Sequence, residues 1–349
     1  RRFSGIWTTA AGGRPSSPAS TGTTTNGCMG TDKPLIAILM AVYHPKVEWL
    51  VQQLDSLNAQ TYPNLRLYVR DDGPDEPVDE KLFAEHITTF PYSLVRNEKN
   101  LGSNLSFERL TQEAEGEYFA YCDQDDIWLP EKLEILEKSI SESGAQLVCS
   151  DMYIIDGEGR RTADSITKIR RHHVFRSGEN LAEGLIFRNF VTGCTMLVRA
   201  DTAKRAVPFC PYLVHDQYIA LWCAAHGKII SLPRQLINYR VHGNNQTGIM
   251  NGVKDKASYK AVRIDTVVDK ILWLKNVPDI RHVVGDSLDE GLAWAQARQK
   301  HFSGEAHQAG TIRKYRKFGT APAVFEIACA RLPERVFMWV VSLVKKNLL

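Results

Sequence analysis

Apolar residues in the first half of the chain alternate between strand-like and helix-like spacing. Residues 34–42 (PLIAILMAV) form a continuous apolar run of strand length, typical of a strand buried on both faces. Leu50, Leu54 and Leu57 then recur at helical spacing and predict a helix over residues 47–59. The chain therefore opens its ordered part with a strand followed by a helix.

The alternation of strand and helix continues to about residue 150. Further strands are predicted at residues 65–69, 117–122 and 146–149, and further helices at 107–114 and from Pro130 to 140. This order is typical of an α/β fold in which helices cover both faces of a mostly parallel sheet. Ligands of such sheets bind beyond the carboxyl ends of the strands.

The rest of the chain is less regular. Short strands are predicted at 194–199, 228–232 and 236–239, with a helix at 216–225; beyond residue 250 the sequence is helical and basic. We therefore expect three parts, listed in chain order: a disordered leader (1–33) rich in Ser, Thr, Gly and Pro, a catalytic domain (34–250) and a helical C-terminal extension (251–349).

Composition narrows the class of protein. Hydrophobic residues make up 44% and charged residues 24%, as in ordinary globular proteins. The net charge of +3, from 43 basic and 40 acidic residues, argues against nucleic acid as the partner. Seven cysteines without a CxxC pair indicate neither a zinc site nor a disulfide framework. Reduced thiols favour a cytoplasmic location, and no apolar run is long enough for a transmembrane helix.

Phosphate-binding glycine motifs are absent, since the sequence has no GxxxxGK[ST] and no GxGxxG after a strand. It also lacks the GxSxG nucleophile elbow of a serine hydrolase. A bound nucleotide would need a divalent metal held by carboxylates, since Mg²⁺ and Mn²⁺ share hard oxygen ligands with phosphates. Two predicted strands end in carboxylates, Asp71 and Asp72 on one and Asp123 and Asp125 on another.

The run Asp123-Gln124-Asp125-Asp126 is the candidate metal site. Residues i and i+2 of an extended segment point to the same side, so Asp123 and Asp125 can face one ion. Asp-x-Asp by itself is weak, because a solvated acidic turn has the same sequence. Here the run ends an apolar strand and is followed by apolar residues 127–130. Carboxylates in such surroundings are unfavourable without a cation.

Seven segments in order, from about residue 34 to 248, resemble family 2 glycosyltransferases of the GT-A (Rossmann-like) fold. Within that family the chain most resembles bacterial rhamnosyltransferases of surface-polysaccharide synthesis. The segments are AILMAVYH (37–44), YVRDDGP (68–74), RNEKNLGSNLSFERL (96–110), YCDQDDIWLPEKL (121–133), VTGCTMLVR (191–199), HDQYIALWCAAHGKI (215–229) and LINYRVHGNNQTG (236–248).

The resemblance implies a set of roles on the donor side. Ala41, Val42 and Tyr43 line the base pocket, and Asp72 accepts a hydrogen bond from the ring N–H of uracil or thymine. Asn100 belongs to a loop over the nucleotide, for which a plain helix-capping loop is the alternative.

The resemblance also divides the chemistry between carboxylates. Asp123 shapes the diphosphate and donor-sugar site, Asp125 is the main ligand of Mg²⁺ or Mn²⁺, and Asp216 is the general base. His215 departs from the family pattern, since it stands where Glu is more common. In an inverting transfer the base deprotonates the attacking hydroxyl while the metal stabilises the leaving diphosphate.

Several weaker candidates keep two interpretations. Arg240 and His242 either reach the diphosphate, His242 also as a metal ligand, or form ordinary strand-end hydrogen bonds. Trp128 either packs under the sugar or lies in the core. Gly193 and His215 are candidates on the acceptor or phosphate side. The basic stretch 168–173 (KIRRHH) is either a loop near the acceptor or a solvated surface loop.

The C-terminal residues 336–349 place Val336, Phe337 and Trp339 beside Lys345 and Lys346. This segment is either an amphipathic helix on the membrane surface or a helix packed on the catalytic domain.

The expected activity is transfer of a sugar, foremost rhamnose from dTDP-rhamnose, to a growing surface glycan or lipid-linked acceptor at the cytoplasmic face. The alternatives are a UDP-hexose donor, and a non-catalytic nucleotide-sugar or glycan binding module. The presence of four carboxylates together argues against the binding module, because binding alone does not require a positioned base. These are Asp72, Asp123, Asp125 and Asp216.

Overall fold

A computed structural model of the chain describes residues 33–170, 173–242 and 252–345. The predicted leader lies outside the described residues, apart from Lys33. The strands are β1 (Ile36–Val42), β2 (Leu65–Asp71), β3 (Tyr92–Arg96), β4 (Tyr118–Cys122), β5 (Ile127–Trp128), β6 (Leu147–Ile155), β7 (Arg161–Ala163), β8 (Met196–Arg199) and β9 (Ile229–Arg240). The helices are α1 (Val47–Asn58), α2 (Glu80–His86), α3 (Ser103–Glu113), α4 (Lys132–Ser143), α5 (Ile166–Ile169), α6 (Ala182–Phe187), α7 (Ala200–Arg205), α8 (His215–His226), α9 (Lys256–Lys260), α10 (Thr266–Lys275), α11 (Pro278–Phe302), α12 (Ala309–Lys314), α13 (Thr320–Cys329) and α14 (Glu334–Lys345).

The strands form one sheet in the order β3-β2-β1-β4-β8-β6-β9-β5, with β7 paired to β6. The first four strands in this order run parallel. Strand β8 is antiparallel to both of its neighbours, and β9 returns parallel to β6. The mostly parallel α/β sheet that the sequence predicts is therefore confirmed.

Alternate residues of β1 point into two different cores, which explains why the whole strand is apolar. Ala37 and Leu39 join one cluster with the apolar faces of α3 and α8. Ile38 and Met40 join a second cluster with α1 and α4 on the other face. Helices thus cover both faces of the sheet and leave the carboxyl ends of its strands as the open edge.

The structure differs from the predicted elements in several places. Strand β3 is among the elements that were missed, and the segments predicted as two strands at 228–232 and 236–239 form the single strand β9, whose pairing with β6 shifts register midway. Residues Gly193–Thr195 form a helical turn before β8. The helix predicted from Pro130 begins at Lys132.

The C-terminal helices share the core of the sheet. Ile271 of α10 and Leu288 of α11 are fully buried in the same cluster as α3 and α8. In α14, Phe337 and Val341 are buried against Tyr259, so one face of this helix is core, whereas Trp339 is 62% exposed. Within the described ranges, no helix combines the length and the apolar character needed to cross a membrane.

Candidate active site

The carboxyl ends of β1, β2 and β4 open into a cleft of about 1180 Å³. The cleft brings together most of the site residues expected from the sequence, contributed by segments far apart in the chain. Those that line it are Ala41, Val42, Tyr43, Asp72, Asn100, Asp123, Asp125, Gly193, His215, Asp216 and His242.

Asp72 organises the loop that follows β3. One carboxylate oxygen, Oδ1, accepts hydrogen bonds from the side-chain amide of Asn97 and the backbone N–H of Leu101, both at 2.7 Å. The other, Oδ2, accepts from the backbone N–H of Gly102 at 2.8 Å. Gly102 has φ of +80°, a conformation that favours glycine. Asn100 donates to the Asp72 carbonyl at 3.3 Å. Asp72 therefore holds the loop, and only its remaining lone pairs are left for a ligand.

Gln124 fixes the acidic run against the first strand. Its side-chain oxygen accepts from the N–H of Tyr43 at 2.7 Å, and its side-chain nitrogen donates to the carbonyl of Tyr43 at 3.0 Å. This two-bond clamp continues the backbone pairing of β1 and β4 beyond their ends. Asp123 and Asp125, on either side of Gln124, both line the cleft.

Asp125 and His242 form the candidate metal-holding pair. Their Oδ2 and Nε2 atoms lie 2.7 Å apart, and both side chains are about one-fifth exposed at 18% and 19%. The ring of Trp49 packs on His242 with centroids 4.9 Å apart. Carboxylate oxygen and imidazole nitrogen are suitable ligands for Mn²⁺, and carboxylates for Mg²⁺. The donor set therefore fits the expected divalent cation.

The surroundings of Asp123 also favour a bound cation in the cleft. Burial, with Asp125 and Asp216 nearby, raises the pKa of Asp123 to about 7. Several carboxylates collected in a poorly solvated cleft favour binding of a cation, which would lower that pKa again. Asp126 is different: it is fully buried, it is not among the residues lining the cleft, and its Oδ1 accepts the backbone N–H of Arg240 at 2.9 Å.

Asp216 lies in the first turn of α8, within a cradle of two donors. Asn189 donates its side-chain amide to Oδ1 and Gly193 donates its backbone N–H to Oδ2, each at 3.0 Å. Burial nevertheless raises the pKa of Asp216 to about 6, because the two hydrogen bonds only partly offset desolvation. A carboxylate oriented in this way, with a pKa near neutrality, is suited to accept a proton.

His215 is a packed neutral side chain. Its ring stacks on Phe107 with centroids 4.1 Å apart, and its Nε2 is buried with no hydrogen-bond partner among the described residues. Burial lowers the pKa of His215 to about 3, so the imidazole is uncharged near neutral pH. A β-carbon at Gly193 would lie 2.8 Å from that Nε2, which explains glycine there. Where Glu would add a negative charge beside Asp216, the neutral His215 adds none.

Trp128 and Arg240 do not line the cleft, so the structure favours the core for Trp128 and strand-end hydrogen bonds for Arg240 over contacts with sugar or phosphate. Trp128 is 2% exposed and belongs to the core. The guanidinium of Arg240 donates to the carbonyl of Asp125 at 2.7 Å and to the side chain of Gln52 at 2.6 Å. Arg240 thus supports the acidic run from the side opposite the cleft.

Other cleft residues were missed in the sequence. They include Lys46, Trp49 and Asn189, which also line the cleft. Arg170 and His173 line it too, and they belong to the basic stretch 168–173 for which a loop near the site was one of the two interpretations; His172 lies outside the described residues. Of these three residues, Lys46, Trp49 and Asn189, only Lys46 could have been assigned to the cleft from the sequence, because it is a basic residue just beyond the first predicted strand. Asn189 and Trp49 carry no such signal, because their places depend on contacts with Asp216 and His242 that are remote in sequence.

Comparisons with known proteins agree with this geometry. Residues 37–205 match the model of Glycosyl transferase family 2. An uncharacterized glycosyltransferase of Methanocaldococcus jannaschii is 25% identical over 241 residues, which cover 67% of this chain and 80% of the relative. One of Haemophilus influenzae is 24% identical over 241 residues, covering 66% and 72%. The structure of S. aureus TarS 1-349 in complex with UDP-GlcNAc has a TM-score of 0.54 at 16% identity, covering 81% of each chain.

The sheet, the acidic cleft at its carboxyl edge and these likenesses define the protein as a glycosyltransferase. More narrowly, residues 37–205, just under half of the chain, match the model of Glycosyl transferase family 2, and the solved structures confirm the GT-A-like fold.

Proposed function

We propose that the protein is an inverting, metal-dependent glycosyltransferase that moves a sugar from a nucleotide diphosphate to a hydroxyl of a glycan. One observation carries the proposal: Asp216, oriented as a base, lines the same cleft as Asp125 and His242 but is held by separate elements. Inversion needs a base for the incoming hydroxyl and a separate group for the departing diphosphate.

The donor is a nucleotide sugar in this proposal. TarS, which shares the fold, has been solved with UDP-GlcNAc and with UDP. In this chain Ala41, Val42 and Tyr43 line the cleft beside the loop held by Asp72, and they would receive the base. The base is uracil or thymine, and the resemblance of the segments to rhamnosyltransferases favours dTDP-rhamnose over a UDP-hexose.

Asp125 and His242 would hold Mg²⁺ or Mn²⁺, with Asp123 beside them. The bound cation would supply charge stabilisation for the leaving diphosphate. Gln124 keeps the run in place through Tyr43, and Arg240 keeps it in place through the carbonyl of Asp125.

Asp216 would take the proton of the acceptor hydroxyl. Asn189 and Gly193 each occupy one carboxylate oxygen, which fixes the orientation of the remaining lone pairs. The neutral ring of His215 adds no cation that would lower the basicity of Asp216.

The test is a screen of nucleotide sugars by thermal shift, with and without Mn²⁺, followed by donor hydrolysis and transfer assays. A ligand that binds the folded state raises the melting temperature, by more when metal completes the site. We expect dTDP-rhamnose with Mn²⁺ to give the largest shift. If a UDP-hexose gives it, the donor assignment fails. If no sugar nucleotide is hydrolysed or transferred with either metal, the activity fails.

We also propose that the acceptor is lipid-linked and that the outer face of α14 contacts an anionic membrane surface on the cytoplasmic side. Trp339 is 62% and Val336 42% exposed, and Arg335 lies one turn before Trp339. A basic and aromatic helix face suits such a surface. Trp339→Ala should reduce the fraction of the protein that co-sediments with phosphatidylglycerol vesicles. Leu272→Ala, which changes an exposed residue of α10, should leave that fraction unchanged. Equal binding of both variants would contradict the assignment.

A further inference from the structure

Lys132 is a fully buried lysine at the first position of α4, directly behind the acidic run. Its Nζ donates to the backbone carbonyl of Cys194 at 2.5 Å and lies 3.0 Å from the centre of the Trp128 ring. A buried ammonium is unfavourable unless charges and hydrogen bonds compensate it.

The acidic run lies close to Lys132. One carboxylate oxygen of Asp123, one of Asp126 and the Sγ of Cys194 all lie within 4.8 Å of one another. Oδ2 of Asp126 is buried and has no hydrogen-bond partner among the described residues. Burial lowers the pKa of Lys132 to about 7, and the nearby Cys194, Cys122, Asp126 and Asp123 oppose that shift. The lysine therefore faces the inner side of the run, away from the cleft.

The same lysine is connected to the base. Cys194 belongs to the turn Gly193–Thr195, and the first residue of that turn donates its N–H to Asp216. One hydrogen bond thus joins α4 to the turn, and one joins the turn to the carboxylate of Asp216. Because α4 follows the acidic run in the chain, Lys132 ties the donor side of the cleft to the acceptor side.

We propose that Lys132 is a positioning residue for the transfer reaction: by holding the carbonyl of Cys194, it sets the place of the turn Gly193–Thr195 and so the orientation of Asp216. This inference rests on the proposed function of Asp216 as the base. The competing explanation is that Lys132 only neutralises the buried charge of Asp126.

Two variants separate these explanations. Lys132→Met removes the ammonium and keeps the alkyl chain, but it leaves Asp126 without a cation. The double variant Lys132→Met/Asp126→Asn removes both buried ionisable groups, and replacing such groups together is often neutral or stabilising. Lys138→Met is the matched control, because Lys138 lies on α4 with a side chain 72% exposed.

The assay measures kcat and KM with the best donor from the screen, the dissociation constants of dTDP and of UDP with Mn²⁺, and the melting temperature. We expect the double variant to melt close to the wild type, to bind the preferred nucleotide within about threefold and to lose about 10- to 100-fold in kcat, because a small misplacement of a reacting group has that effect. The acid limb of its kcat profile should move to higher pH, since the Gly193 hydrogen bond that lowers the pKa of Asp216 is weakened.

Hydrogen exchange of the peptide spanning residues 191–199 gives a readout that does not depend on activity. Faster exchange in the double variant than in Lys138→Met supports the positioning role. Wild-type kcat together with unchanged exchange overturns it and leaves charge neutralisation as the role of Lys132. A double variant that fails to fold also overturns it, since Lys132 would then serve the fold. A wild type that transfers no sugar contradicts the proposed function instead, and the exchange result still decides whether Lys132 holds the turn.

Discussion

Oδ2 of Asp125 lies 2.7 Å from Nε2 of His242, although the two residues are 117 positions apart in the chain. Asp125 follows β4 and His242 follows β9, two strands that end at the same cleft. Their convergence places an oxygen and a nitrogen where one cation can use both.

His242→Gln should weaken metal activation. Loss of even an outer partner of a metal ligand lowers affinity about 10- to 100-fold, and loss of a ligand should do at least as much. The Mn²⁺ concentration for half-maximal donor hydrolysis should therefore rise by at least about tenfold. His226→Gln, which changes a histidine paired with Asp279 at the end of α8, should leave the titration unchanged. An unaltered Mn²⁺ titration for His242→Gln would remove it from the metal site.

Asp216→Asn should abolish general-base catalysis while retaining the shape of the cradle. Transfer should fall by about 10²- to 10⁴-fold, and the affinity for the donor should change little. Initial rates of transfer and titrations of the donor measure the two effects separately. Asp201→Asn, at an exposed carboxylate of α7, is the control. Transfer by Asp216→Asn at the wild-type rate would contradict the assignment of the base.

The pH dependence of activity should follow Asp216, which must be ionised to accept a proton. With its pKa raised to about 6 by burial, kcat should decline as pH falls through about 6, approaching tenfold per unit below it. A profile of kcat from pH 4.5 to 8 measures this. A flat profile across pH 5 to 6 would contradict the assignment.

The contribution of Asp216 to the free energy of unfolding should fall as pH rises, whereas its contribution to kcat should increase. The folded state binds its proton more tightly than the unfolded chain, whose aspartates titrate near about 4. Between about pH 4 and 6 the contribution of this group to the free energy of unfolding therefore decreases as pH rises. Urea unfolding of the wild type minus that of Asp216→Asn isolates the contribution. A difference that grows with pH in this window would refute the sign.

Gly193→Ala should disturb both packing and chemistry. The new β-carbon would lie 2.8 Å from Nε2 of His215, so the turn or the ring must shift. Overpacking of this kind destabilises by about 1–3 kcal/mol, and movement of the turn should also reduce kcat. Adding His215→Ala should relieve the clash. Gly310→Ala, where nothing lies within 4 Å, is the control. If chemical denaturation shows Gly193→Ala to be as stable as the wild type, the close packing is not rigid.

Local pattern was enough to predict the first half of the fold. The apolar run of β1 and the spacing of Leu50, Leu54 and Leu57 report burial directly, because a residue's own neighbours in the strand or helix determine which face it presents. The acidic run and Asp72 could be assigned to the carboxyl edge for the same reason. Strand β3, half-buried at the edge, has no comparable apolar signal and was missed.

The tertiary structure decided how the side chains are used. Trp128 and Arg240 lie close in sequence to cleft residues, yet both point inward, because β5 and β9 pair and direct them behind the acidic run. The cradle of Asp216 and the pairing of Asp125 with His242 join residues 23 to 117 positions apart. The sequence by itself determined which residue types stand at the ends of strands. Only packing across the sheet determined which of them meet, since hydrogen bonds and burial depend on distances in space that local spacing does not encode.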